Sequence, residues 1–280
     1  MSVTLERIDT APFGAATHLV CRACGAHAKL GADYSCWECF GPLEVAYDFG
    51  TVTREQIQSG PFSLWRYAPL LPVPANIAES RNLAPGMTRL HRADNLAKAL
   101  GITGTLWVKD DSGNPTHSFK DRVVAVAQSA GIQLGFNTLA CASTGNLAHA
   151  VAAAAARAGQ KSVVLVPSNL EQHKIQATAA YNGHVIGIEG NYDDVNRLCG
   201  ELIGEEVSAN WGFVNVNLRP YYAEGSKTVG YEIAEQLGWR LPDQVVIPVA
   251  SGALLTKVDK GWREFVELGL VPDRPWRVFG

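Results

Sequence analysis

The sequence predicts an α/β protein: two doubly wound, mainly parallel sheet domains with an N-terminal zinc-ribbon-like segment. Three observations predict it. Apolar β-branched runs alternate with helix-period stretches from about residue 100 onward. The turns after those runs are rich in hydroxyls, glycines and amides, the residues that open helices at strand ends. Four of the six cysteines fall in two close pairs near the N-terminus. At 280 residues the chain exceeds the usual size of one domain, so two packed domains are expected.

In chain order the cysteines come first. Cys21-x-x-Cys24 and Cys36-x-x-Cys39 are eleven residues apart, a spacing that folds two knuckles around one tetrahedral ion with thiolate ligands. Gly25 and Gly41 follow the pairs, where a knuckle turn needs a positive φ. A structural zinc on Cys21, Cys24, Cys36 and Cys39 is the leading reading, with a metal-free relic or redox chemistry as the others. Four ligands leave no open position, so the ion would staple rather than catalyse. Cys199 reads as a helix-core residue, and Cys141 lies beside a strand-end loop. Residues 50–90 carry prolines at 61, 69, 72, 74 and 85 around Trp65 and Tyr67 and read as a docked, mostly irregular connector.

Strands are then predicted at 106–110, 138–142, 162–167, 184–188, 212–216, 244–249 and 276–279, and helices at 118–131, 145–158, 170–181, 192–206, 222–237 and 253–267. Such alternation implies right-handed crossovers and a mainly parallel sheet, with ligands at the carboxyl ends of the strands.

The first strand-end turn leads to Ser118-Phe119-Lys120-Asp121-Arg122. Val123, Val124, Val126 and Ala127 recur at helical spacing until Gly131, so Lys120 falls in the first helical turn. The unpaired N–H groups there penalise an ammonium and favour the neutral amine, the form that attacks a carbonyl carbon. A solvated surface lysine is the plain alternative.

Three further loops carry candidates. Ser143-Thr144-Gly145-Asn146 opens a helix whose free N–H groups suit a carboxylate, although ordinary capping explains the same residues. Ser251-Gly252-Ala253 suits a phosphate on backbone N–H groups, but it is neither a Walker loop nor a dinucleotide fingerprint. Arg219, before Pro220, is expected to be extended and free to clamp an anion or to form a surface salt bridge. His91, His117, His149 and His173 show no metal or triad spacing and read as surface or packing residues.

Apolar content of 47% with 18% charge is ordinary for a globular protein. The net charge of −3, with no basic stripe, argues against nucleic acid or an anionic membrane as partner. Met1 to Gly14 holds no signal-like apolar stretch and no window approaches membrane-spanning length, so a cytoplasmic protein is expected.

Together, Asn114-Pro115-Thr116-His117-Ser118-Phe119-Lys120-Asp121-Arg122, Ser143-Thr144-Gly145-Asn146 and Glu224-Gly225-Ser226-Lys227-Thr228 resemble the pyridoxal-phosphate enzymes of the tryptophan-synthase-β type, fold type II. Within that group the likeness is to threonine synthases, supported by the cysteine ribbon and the Ser-Phe-Lys-Asp-Arg run. The resemblance implies that Lys120 carries pyridoxal 5′-phosphate as a Schiff base. It implies that Asn146 meets the cofactor ring and that Ser251, Gly252, Ala253 and Thr256 hold its phosphate. Ser143 and Thr144 would bind the substrate carboxylate, with Asn114, Asn217, Arg219 and Lys109 as further substrate contacts. The implied reaction converts O-phosphohomoserine and water to threonine and phosphate. A cysteate-synthase-like replacement on phosphoserine and a silent scaffold are the alternatives.

A homodimer and a small-molecule phosphorylated amino-acid substrate are expected. The implied domains are the ribbon at 18–48, a larger cofactor-binding domain from 50–136 and 213–280, and a smaller one at 137–212. Two departures from the family stand out. The phosphate turn has one glycine followed by apolar residues. The family pattern also continues beyond Gly280, so a truncated chain with weaker cofactor binding is expected.

Overall fold

The computed structural model describes residues 13–74 and 83–280. The start of the Met1 to Gly14 stretch and residues 75–82 of the connector lie outside them. The ribbon comes first: β1 (Ala16–Cys21) pairs antiparallel with β2 (His27–Ala28) and with β3 (Leu43–Tyr47). Gly25 takes the expected positive φ of 75°, but at the second knuckle Phe40 does so instead, at 57°. Gly41 is needed for space: a Cβ there would lie 2.9 Å from Cys21 Sγ and 3.2 Å from Cys39 Sγ.

The connector is more helical than expected. It holds α1 (Arg54–Gln58), closed by a Thr53–Gln56 capping box, and a 3₁₀ run from Leu64 to Leu70 that buries Trp65 and Tyr67. Next come β4 (Arg89–Arg92), α2 (Asp94–Ala99) and β5 (Trp107–Asp110), with β4 and β5 antiparallel.

Then the regular alternation begins: α3 (Lys120–Gln133), β6 (Thr138–Ala142), α4 (Asn146–Ala158), β7 (Lys161–Pro167), α5 (Gln172–Ala179), β8 (His184–Ile188), α6 (Tyr192–Glu201) and β9 (Trp211–Phe213). The four strands form one parallel sheet in the order β8-β7-β6-β9. β6 is buried throughout and β7 at all but Lys161, because helices cover both faces. The alanine run of α4 permits close approach to the sheet, and all residues from Ala150 to Ala155 are buried.

Two predicted elements differ. The strand expected at 212–216 stops at Phe213, whose N–H is taken by Asn217 Oδ1 and whose carbonyl accepts from the amides of Val216 and Leu218. The helix expected at 222–237 is two helices, α7 (Arg219–Glu224) and α8 (Lys227–Gln236). Arg219 is therefore helical rather than extended, with Pro220 in the first turn, where its missing N–H costs nothing.

The chain closes with β10 (Gln244–Val246), α9 (Ala253–Glu267) and β11 (Arg277–Phe279), the two strands pairing in parallel. Outside the four-stranded sheet and the ribbon, the described strands form two separate pairs, β4-β5 and β10-β11, rather than the second continuous sheet expected.

α3 lies between two hydrophobic cores. Val124, Ala127 and Ala130 join the core under the parallel sheet, while Ala125 and Val126 join the core of Trp262, Phe265 and Tyr231. This explains why every residue from Asp121 to Gly131 is buried, and it fixes Lys120 at the entrance between the cores. Among the described residues, no helix is long and apolar enough to cross a membrane.

Candidate active site and metal centre

Lys120 is the first residue of α3 and is half-buried; its amide donates to Ser118 Oγ over 3.2 Å. Its Nζ lies 5.3 Å from the Phe119 ring centroid and 5.9 Å from that of Tyr222. No hydrogen bond or ion pair reaches this amine among the described residues. Burial alone holds the ammonium below the ordinary lysine range, so the cause is desolvation by the surrounding side chains.

The residues that follow Lys120 in sequence are tied into the fold. Asp121 accepts from Thr116 N at 2.7 Å and Thr116 Oγ1 at 2.8 Å, closing the turn before the helix. Burial favours its protonated form and raises it. Arg122 is fully buried and spends its donors on Asp111 (2.8 Å twice), Glu232 (2.5 and 2.8 Å), Thr88 and Thr228. Burial opposes the charge on Glu232, but Arg122 and Lys109 outweigh it and hold the carboxyl below its usual range. Two cations thus face two carboxylates in the interior, so the cluster is neutral overall.

Three of the expected substrate contacts are engaged within the protein. Lys109 gives its three protons to Thr88 O (2.8 Å), Glu232 (2.7 Å) and Gln236 (2.9 Å), so no proton remains for a phosphate. Asn114 is buried and folds the turn, accepting from Gly86 N at 2.9 Å and donating to Asp111 O at 3.0 Å. Asn217 is likewise buried, and its Oδ1 accepts from Phe213 N at the edge of β9.

The remaining candidates lie at strand and helix ends. Ser143 Oγ accepts from Gly145 N (3.3 Å) and Ala148 N (3.2 Å), so it caps α4. Thr144 is half-buried and Asn146 exposed, and their side chains have no partner among the described residues. Arg219 is exposed and unpaired in the same sense. At the other helix start, Gly252 has φ 79° and opens α9, while Thr256 Oγ1 bonds back to Gly252 O (3.1 Å). Leu254 and Leu255, in the first turn of α9, pack on the same core as Phe119, the neighbour of Lys120.

Sequence reasoning missed a second buried cluster. Glu224 accepts from Lys227 (2.8 Å), Lys257 (2.6 Å), Lys260 (3.1 Å) and Tyr47 (2.6 Å). Burial opposes its charge, yet the three lysines hold it well below the carboxylate range. The run Glu224 to Thr228 was visible, but its partners Tyr47, Lys257 and Glu264 are far away in sequence. Gly225 next to it abuts α3: a Cβ there would lie 2.7 Å from Arg122 O and Val123 Cα.

In the ribbon, the Sγ atoms of Cys21, Cys24, Cys36 and Cys39 lie within 4.8 Å of one another, with Cys21–Cys39 at 3.5 Å and Cys24–Cys36 at 3.7 Å. Sulfurs on one tetrahedral zinc at ~2.3 Å stand about 3.8 Å apart, so the set fits that ion. Amides of Ala23 and Glu38 point at Cys21 and Cys36, as thiolates require. The backbone N–H of Cys24 is the main cause holding the Cys21 thiol down to about 6. At Cys24 the Ala26 N–H favours the thiolate, but the neighbouring sulfurs outweigh it and push the thiol up to about 12. Without a cation, four such sulfurs cannot all ionise.

The residues also fit a pyridoxal phosphate: an amine whose ammonium is disfavoured by burial, and helix N-termini at α4 and α9 offering free N–H groups. Comparison with known proteins agrees. The chain is 38% identical over 262 residues to threonine synthase from Methanosarcina acetivorans, covering 92% of this chain and 63% of that protein. It is 36% identical to threonine synthase from Methanocaldococcus jannaschii, covering 86% of this chain and 59% of that protein. The chain thus spans about three-fifths of the length of these relatives.

Among solved structures, diaminopropionate ammonia lyase from Escherichia coli superposes with a TM-score of 0.58 at 21% identity, over 79% of this chain and 59% of that one. Threonine deaminase isoform 2 from Solanum lycopersicum gives 0.53 at 24%, over 65% and 48%. These two show the shared fold. The family model "Pyridoxal-phosphate dependent enzyme" matches residues 82–280, and the chain belongs to that family.

Proposed function

We propose that this chain performs pyridoxal-phosphate chemistry on a phosphorylated amino acid, converting O-phosphohomoserine and water to threonine and phosphate. The observation that carries the reading is Lys120: a half-buried amine at a helix start, without hydrogen bond or ion pair among the described residues and held below the usual lysine range. The similarity to two threonine synthases supports the choice of substrate. When bound, the cofactor supplies an electron sink for carbanionic charge at the substrate Cα.

The chain's own residues do the rest. Lys120 holds the cofactor and, once released from it, takes and returns protons at the substrate's Cα and Cβ. The N-terminus of α4, with Ser143 as its cap and Thr144 beside it, receives the substrate carboxylate, and Asn146 meets the cofactor ring. The N-terminus of α9, at Ser251, Gly252 and Ala253 with Thr256 one turn on, receives the cofactor phosphate. Arg219 is the substrate-phosphate clamp. Over the whole reaction phosphate leaves Cγ, the oxygen of water joins Cβ, and protons are redistributed so that atoms balance.

In the same reading the four cysteines hold a structural zinc, residues 137–212 form the smaller domain against 50–136 and 213–280, and the protein is a cytoplasmic homodimer. The test is to load the protein with pyridoxal phosphate, reduce with borohydride, and map the label, while following phosphate release from O-phosphohomoserine and phosphoserine. Labelling at Lys120 with release from phosphohomoserine is expected. Label elsewhere, or release from phosphoserine alone, overturns it.

A further inference from the structure

Tyr222 differs from the other packed tyrosines of this chain. Tyr47 donates to Glu224, Tyr67 to Glu235, Tyr231 to Glu264 and Tyr221 to Gly31 O. A phenol that packs against apolar neighbours normally finds such a partner. Tyr222 packs against the core under the parallel sheet, yet its hydroxyl has no hydrogen bond among the described residues. Its ring faces Lys120, with the amine 5.9 Å from the centroid. Three residues earlier on α7 stands Arg219, so the two side chains share one helix face. α7 itself follows β9, beside the end of β6 where the Ser143 loop begins. In the turn between β9 and α7, Asn215 also keeps a buried amide oxygen without a partner.

We propose that Tyr222 contacts the substrate: its ring walls one side of the Lys120 amine, and its hydroxyl donates to the anionic group that Arg219 holds. This rests on the reading of Arg219 as the clamp for the substrate's phosphate. Burial, with Cys141 and Tyr192 close by, pushes the phenol up against the opposing pull of Arg219. The hydroxyl is therefore a donor and not a base. A neutral donor beside a guanidinium suits a phosphate, whose several oxygens accept from both at once.

The test compares the wild-type, Tyr222→Phe and Arg219→Gln proteins, each loaded with pyridoxal phosphate. Inorganic phosphate is titrated and its binding read from the cofactor absorbance, and KM and kcat are measured with O-phosphohomoserine. Tyr222→Phe keeps the ring, so cofactor loading and thermal midpoint are expected to match wild type. Its phosphate dissociation constant and its KM are expected to rise about 10-fold or more, the usual cost of one hydrogen bond to a charged group, with kcat within about threefold. The double variant is expected to lose less than the product of the two single losses, because both residues grip one anion.

Unchanged phosphate binding and KM in Tyr222→Phe would overturn the proposal, as would failure of the loaded wild type to bind phosphate. A matching fall in cofactor loading and thermal midpoint would also overturn it, by making the residue structural. Wild-type protein that binds phosphate through Tyr222 but does not turn over phosphohomoserine would instead refute the substrate and leave the contact standing.

Discussion

Tyr47, the last residue of β3, donates its phenolic proton to Glu224 Oε2 over 2.6 Å, bonding the ribbon to the residue that ends α7. Lys227 Nζ sits 4.1 Å from the Tyr47 ring centroid, so the same side chain also covers an ammonium. Through Glu224 and the tight approach of Gly225 to Arg122, the ribbon is mechanically continuous with the helix that begins at Lys120.

Tyr47→Phe should cost about 1–3 kcal/mol, the loss of one hydrogen bond to a charged group, because Glu224 keeps its three lysines. Glu224→Gln should cost more, about 3–5 kcal/mol, since Lys227 and Lys257 would be left buried with less compensation. Urea unfolding of both variants measures the difference. Equal losses would mean that the lysines contribute little to the cluster.

Metal removal acts on a different part of the ribbon. If the four sulfurs hold zinc, a chelator should release one ion per chain, and amides near Cys24 and Cys39 should then exchange faster with solvent. β3 should stay protected, because Glu44 and Val45 are held from outside the ribbon by Lys257 and Lys260. Hydrogen exchange with and without chelator decides it; an unchanged knuckle would argue that no ion was bound.

What the sequence disclosed and what it withheld divide along one physical line. Local features were legible: the helix start at Lys120, the parallel alternation from β6 to β9, the cysteine knuckles and the caps at Ser143 and Gly252 are set by neighbours a few residues apart. Long-range pairing was not. Nothing near Lys109 in sequence shows that Glu232, 123 positions on, accepts its proton. Asn217 looked available until its oxygen met Phe213 N at the sheet edge. Arg219 looked extended because the rule for residues before proline omits the case in which such a residue opens a helix. Tyr222 went unread for the same reason, since its placement beside Arg219 exists only once α7 begins at residue 219.

The two buried clusters also fix the acid limit of stability. Glu224 and Glu232 are both held below the ordinary value of 4.5 despite burial, by lysines and by Arg122 with Lys109 respectively. A carboxyl depressed in the folded state contributes stability that is fully present above its unfolded value and is lost as pH falls towards its folded value. Unfolding free energy should therefore be flat in this respect above pH ~5 and fall steeply below about pH 4.5. Glu232→Gln should lower stability at neutral pH by about 3–5 kcal/mol, because Asp111 would be the one carboxylate left to Arg122 and Lys109 would lose its carboxylate, and should make the acid fall shallower. Urea titrations at pH 7 and near pH 4 measure both effects. An acid slope unchanged by the substitution would remove Glu232 from the explanation.

Lys120 gives the opposite sign. Its amine is held below the ordinary value of 10.5 by burial, with no carboxylate to restore the charge. The neutral, nucleophilic form therefore appears at lower pH than in an ordinary solvated lysine. Capture of pyridoxal phosphate at residue 120, fixed by borohydride after a short exposure, should rise with pH through a midpoint below that of the exposed lysines and fall away on the acid side. Lys120→Arg should abolish the label, since a guanidinium stays charged at any accessible pH. Peptide mapping across pH 6 to 10 reads every lysine in one experiment. If residue 120 were labelled no earlier than Lys98 and Lys161, burial would not be what readies this amine, and its place between the two cores would serve packing alone.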